Sequence, residues 1–189
     1  MSDIMLYILA TTLANNIIVV QMAGVDPALA FSKRQVVAKG LCLTMLVMLP
    51  LATMFTFILQ QAVLTPLEID YLQLPLFVTL IFLLAGLLKI LLPKINTTLG
   101  ERLEIFLPMA AINTTLLGSV LLNLRQSGTV LQSVAYGLVT ALGFALVLLM
   151  ITSIHEKLEY TDIPHPFRGL PITLVTLGLV AMSFMGFPG

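Results

Sequence analysis

Residues Asn15–Arg34 read NNIIVVQMAGVDPALAFSKR. The stretch begins inside a long apolar run, carries Gly24, Asp26 and Pro27 within four residues, and then reaches Ser32, Lys33 and Arg34. An unbroken membrane-spanning helix has no use for Gly-Val-Asp-Pro near its end. Proline removes a backbone donor and clashes with the preceding turn. Glycine relaxes the backbone, and aspartate is costly wherever lipid is near. The pattern predicts a helix that breaks part-way through a membrane and resumes as a second short piece. Such backbone is tolerated only where protein covers it or where it lines a polar cavity.

A second stretch, Ile105–Asn123 (IFLPMAAINTTLLGSVLLN), lies 88 positions later when Asp26 is set against Thr114. It too has a proline, Pro108, then the polar cluster Asn113-Thr114-Thr115, then Gly118. Few residues are identical between the two. The echo lies in the pattern of breaks.

The 189 residues are 59% hydrophobic and 10% charged, with mean hydropathy +1.07. Soluble domains carry about 25% charged residues, so the chain reads as an all-α integral membrane protein forming one membrane domain over 1–189. A helical bundle in water would leave too much apolar surface exposed. Net charge is zero, which gives no case for nucleic-acid binding. The single cysteine, Cys42, excludes an internal disulfide. Tryptophan is absent, so any aromatic belt comes from four tyrosines and ten phenylalanines. The opening MSDIMLYILATT has no basic n-region and reads as a retained first span.

Uncharged runs mark six spans: Ile4–Val25, Gly40–Leu67, Tyr71–Leu88, Ile105–Leu124, Gln126–Ile154 and Gly169–Gly189. Each approaches or exceeds the roughly 20 apolar residues a spanning helix needs. The second and fifth runs, at 28 and 29 residues, are long enough to include polar shoulders at Thr65-Pro66 and Gln126-Ser127-Gly128. Lys33, Arg34, Lys39, Lys89, Lys94, Arg102, Lys157 and Arg168 fall on one side of this arrangement. Only Arg125 falls on the other, with Asp3, Glu68 and Asp70. The positive-inside rule then places both termini outside the cytoplasm, in the periplasm of a bacterial inner membrane. Three spans per half give two repeats, about 1–94 and 95–189, related by an axis in the membrane plane. The broken first and fourth spans would face each other near the midplane.

Asp26 is the acidic residue placed at membrane depth. It is an ion or proton site or a partner for a positive group, or else the cap of a short helix that starts at Pro27 or a residue at the interface where the span ends. Asn15 and Asn16 bond neighbouring helices or line the midplane. Asn113, Thr114 and Thr115 can offer oxygens to a cation, or can satisfy backbone at the break. Asn96-Thr97-Thr98 and Asn113-Thr114-Thr115 match the glycosylation pattern, but one falls on the cytoplasmic side and the other in the membrane. His155 and His165 flank the last basic link and receive no role. No phosphate loop, zinc spacing or nucleophile–base pair is visible, so the chain is not expected to catalyse a reaction alone.

The segments MSDIMLYILATTLANNIIVVQMAGVDP, LEIFLPMAAINTTLLGSVLLN, LQSVAYGLVTALGFALVLLM and IHEKLEYTDIPHPFRGLPITLVTLGLVAMSFMGF resemble one family over nearly the whole chain. It is that of the A subunit of the Rnf ion-translocating electron-transport complex, related to the E subunit of the sodium-pumping NADH:quinone oxidoreductase. The most specific pieces are Asn15-Asn16, Ile105-Phe106-Leu107-Pro108, Pro166-Phe167-Arg168-Gly169 and Phe184-Met185-Gly186-Phe187. The resemblance implies six helices in an inverted repeat and pairing with a homologous six-helix subunit of opposite orientation, within a membrane redox complex. It also implies a midplane [2Fe-2S] cluster to which each member of the pair gives two cysteines. Those cysteines align with Asp26 and Thr114, while Cys42 matches neither position. Iron–sulfur clusters need soft thiolate ligands, so architecture and partners carry over and the cofactor does not. Three functions remain open: a subunit of a redox-driven ion translocase, a non-redox ion or small-solute transport subunit of the same fold, and a structural membrane subunit.

Overall fold

The computed structural model describes residues 35–95, 100, 103–126, 128–162 and 164–184. The first span, with Asn15, Asn16 and Asp26, lies outside the described residues, as does Asn96-Thr97-Thr98. Everything described is helix or short connection.

Helix α1 (Gln35–Leu59) passes through a π-helical turn, Gln60–Leu64, into the single turn α2 (Thr65–Leu67). The Thr65-Pro66 shoulder is therefore helical. Pro66 removes one hydrogen bond from this continuous helix. The continuous stretch Gln35–Leu67 is 33 residues, roughly 50 Å at 1.5 Å per residue. That exceeds a hydrocarbon core of about 30 Å, so its ends project beyond the lipid or the helix tilts. The chain reverses at Glu68, whose φ of 55° is left-handed. The Ile69 N–H reaches back to the Leu64 carbonyl at 3.2 Å, and Gln60 Nε2 donates to Asp70 Oδ1 at 2.8 Å.

Helix α3 (Gln73–Ile95) then returns. The expected fourth span is two pieces, α4 (Leu107–Ala111) and α5 (Thr114–Gln126). Helix α6 (Val130–Glu159) starts at Thr129, whose side chain accepts from the Gln132 N–H. After a 3-10 turn at His165–Phe167 and Gly169, at φ +86°, α7 covers Leu170–Phe184. Among the described residues, three helical stretches are long and apolar enough to cross a membrane: Gln35–Leu67, Asp70–Lys94 and Val130–Leu158.

Helix α1 is the hub. Its largest contact is with α6, and it also packs on α3, α4 and α5. Gly137 of α6 sits directly over the Pro50 turn of α1. A Cβ there would lie 2.7 Å from Pro50 Cα and 2.9 Å from the Leu49 carbonyl oxygen. Pro50 removes one rung of the α1 ladder, and the Thr53 hydroxyl faces the carbonyls of Leu49 and Pro50 at 3.0 and 3.1 Å. The core around this crossing includes Leu41, Met45, Met48, Leu49, Phe144 and Leu148. The α3 face carrying Leu74, Phe82, Leu83, Leu87 and Ile90 stays exposed.

Candidate functional site

The break between α4 and α5 gathers the predicted polar residues of the second half. Pro108 starts α4 in its first turn, where its missing N–H costs little. The Phe106 ring sits on Gly40 of α1 and holds the entrance of α4 against that helix. The short helix ends with the Ile112 N–H on the Pro108 carbonyl at 3.2 Å and the Asn113 N–H on the Ala110 carbonyl at 3.1 Å. Asn113 then starts α5. Its Oδ1 accepts from the Thr115 N–H at 2.9 Å, and its own carbonyl accepts from the Leu116 N–H at 3.0 Å. An asparagine oxygen on the second helical N–H is an N-cap.

The three residues of the cluster differ in environment. Thr114 is exposed, while Asn113 and Thr115 are 4% and 0% exposed. Asn113 Nδ2 and Thr115 Oγ1 are buried with no hydrogen-bond partner. The structure thus brings Asn113 and Thr115 to the start of α5. Asn15, Asn16 and Asp26 lie outside the described residues.

Cys42 lies on α1, buried, with its thiol directed at the Ala145 carbonyl of α6 at 3.9 Å. Among the described residues no group of three or more His, Cys, Asp or Glu is placed to hold a metal ion. The donors at the break are an amide and hydroxyls. That set does not fit a [2Fe-2S] cluster, which requires thiolates.

Two polar groupings were not foreseen. Asn123, Ser133 and Thr53 join α5, α6 and α1: Asn123 Nδ2 donates to Ser133 Oγ at 3.0 Å, and Thr53 Oγ1 donates to the Ser133 carbonyl at 2.9 Å. His155, given no role from the sequence, is buried at 4% exposure, with Nε2 2.7 Å from Thr173 Oγ1. Thr173 also lies 3.0 Å from the Gly169 carbonyl. His165 is exposed. At the far end of α5, Gly118, Leu121, Leu122, Leu124 and Arg125 line, with Gln73 of α3, a cavity of about 410 Å³.

The chain is similar to known membrane proteins. Residues 4–189 match the family described as Rnf-Nqr subunit, membrane protein. Among similar curated proteins is one from Pseudoalteromonas translucida, named as the A subunit of an ion-translocating oxidoreductase complex and 36% identical over 189 residues. The match spans 100% of this chain and 98% of that one. Proteins of the same name from Pasteurella multocida and Vibrio cholerae are 36% and 35% identical over the same spans. With helices fit to cross a membrane and a family match running from residue 4 to the last, this chain belongs to the Rnf-Nqr family of membrane subunits.

Proposed function

We propose that the chain is a membrane subunit of an Rnf-type ion-translocating oxidoreductase, in which electron transfer drives an ion across a bacterial inner membrane. The observation that carries this reading is the end-to-end similarity to proteins named as the A subunit of such a complex. In this reading the chain has six transmembrane helices as two inverted three-helix repeats, about 1–94 and 95–189. Its termini are periplasmic, and it pairs with a homologous subunit of opposite orientation. Support comes from the charge bias and from the interruption at Ile112-Asn113, the pattern shared with the stretch around Asp26.

The midplane polar set is Asn15, Asn16, Asp26, Asn113, Thr114 and Thr115. Asp26 and Thr114 stand where the family places cluster cysteines, and this chain contributes no cluster ligand there. Its part is to seal the membrane, to hold polar backbone at the breaks and to present Asp26 to the ion path. A second reading, an ion or small-solute transport subunit without redox chemistry, is favoured by the absence of thiolates at those positions.

The test is reconstitution of the purified assembly in proteoliposomes with an electron donor. Electron-transfer-dependent ion uptake that is lost without this subunit is the expected result. Ion flux that is indifferent to donor selects the second reading.

A further inference from the structure

We propose that the cavity between the start of α3 and the end of α5 binds one anionic phospholipid, its phosphate on Arg125 and the root of an acyl chain along the α5 leucines. Helix α3 packs on α1 and α4, and the gap it leaves against α5 holds about 410 Å³. Small-ligand sites span roughly 300–1,000 Å³. The α5 wall includes Gly118, Leu121, Leu122 and Arg125. These positions recur at i, i+3, i+4 and i+7, so they form one stripe of the helix, about 10 Å long at 1.5 Å per residue. Glycine leaves the end nearer the α4–α5 break without a side chain. Two leucines make the middle apolar, and the guanidinium stands at the other end. Gln73, the first residue of α3, adds a polar residue to the lining.

The charge at this end is uncommitted. Among the described residues Arg125 forms no salt bridge and no hydrogen bond. Asp70, three residues before Gln73, is already held by the Gln60 amide at 2.8 Å. Arg125 lies in the last turn of α5, where any cation suits the helix dipole. A guanidinium offers more, a planar fork that matches phosphate. Free phosphate would use the charged end alone and leave the leucine-lined part to water. A phospholipid joins an anionic head to an apolar chain in the order the stripe presents them. The exposed apolar face of α3 begins at Leu74, the residue after Gln73, so lipid reaches the rim of the cavity. The inference rests on the membrane setting of the family and not on electron transfer or the number of spans.

The experiment uses the full-length chain in its native assembly, delipidated in detergent. Phosphatidylglycerol or phosphatidylcholine is added, and bound lipid is counted by native mass spectrometry. One phosphatidylglycerol per chain is expected to be retained in preference to phosphatidylcholine. Equal retention of the two would mean an unselective lipid coat and overturns the proposal. Arg125→Gln changes an exposed side chain and is expected to weaken phosphatidylglycerol binding by roughly fivefold or more. Leu122→Phe narrows the apolar part, leaves the charge in place and is expected to weaken it as well. Retention unchanged in either variant overturns the proposal. Displacement of the lipid by inorganic phosphate would mark a free-anion site, and overturns it too. Loss of another subunit from Arg125→Gln with lipid retention unchanged would mark a protein contact in its place. Lipid counting does not depend on ion pumping, so an assembly that holds the lipid yet pumps no ion defeats the proposed function alone.

Discussion

Asn123 Nδ2 donates to Ser133 Oγ at 3.0 Å across the turn between α5 and α6, and both side chains are fully buried. Asn123 also lies 3.4 Å from the Thr53 carbonyl of α1, so three helices share one polar knot beside the Pro50 turn. Side-chain hydrogen bonds between membrane helices are worth about 0.6 kcal/mol on average, and up to about 1.7. Asn123→Ala is expected to cost about 1–2 kcal/mol, because it also strands the Ser133 hydroxyl. Ser133→Ala in that background should cost less than alone. A double-mutant cycle in detergent unfolding checks this, and strict additivity would show that the two do not couple.

Gly137 gives the second prediction. A Cβ at this position meets backbone atoms of Pro50 and Leu49, which cannot step aside as a side chain would. Gly137→Ala is expected to force α6 off α1 at a cost of about 1–3 kcal/mol. Gly178→Ala on α7 is the control, with nothing within 4 Å of the added methyl. It should be neutral or slightly stabilising, since alanine is the better helix former. Equal thermal stability of the two variants would refute the close-crossing account.

The sequence made the membrane class and the second break readable because both are written locally. Uncharged runs follow from the cost of charge in lipid, and Pro108 with Asn113-Thr114-Thr115 disrupts a helix whatever its neighbours. The structure separates those three residues in a way spacing did not. Asn113 and Thr115 turn inward and Thr114 is exposed, because successive helical positions lie about 100° apart and only one face of α5 meets α1. The Asn123–Ser133–Thr53 knot and the burial of His155 were not legible. Each depends on which helices become neighbours, and hydropathy carries no record of that. Thr65-Pro66 looked like a shoulder on composition, yet the π-helical turn at Gln60–Leu64 carries the helix through it.

The third prediction is topological. Helix α3 carries Tyr71 just before one end and Lys94 near the other, and both residues are exposed. Lys157, near the end of α6, is exposed as well. In a Cys42→Ser background, Lys94→Cys and Lys157→Cys are expected to resist a membrane-impermeant thiol reagent in intact cells, and Tyr71→Cys to react. Cys42→Ser exchanges one small side chain for another of nearly the same shape, so the buried site should keep its packing. Labelling of position 94 from outside would invert or break the six-span arrangement.

The last prediction concerns iron. A [2Fe-2S] cluster between this chain and its proposed homologous partner would need four ligands, normally thiolates. At the positions where the resemblance puts this chain's two, the sequence has Asp26 and Thr114. The second is an exposed threonine beside an asparagine whose side-chain oxygen already caps a helix. Cys42 is no substitute, because it sits within α1 with its thiol turned to α6. A partner that kept both of its own cysteines would still supply only half a ligand set. The isolated pair is therefore expected to contain no stoichiometric iron or labile sulfide, and to give no [2Fe-2S] EPR signal after reduction. Paired Asp26→Cys and Thr114→Cys substitutions restore the thiolates. If the partner retains its own, the signal should appear on anaerobic reconstitution with iron and sulfide. One cluster per pair in the unmodified protein would mean that oxygen ligands suffice at this site, and the ligand argument would fall.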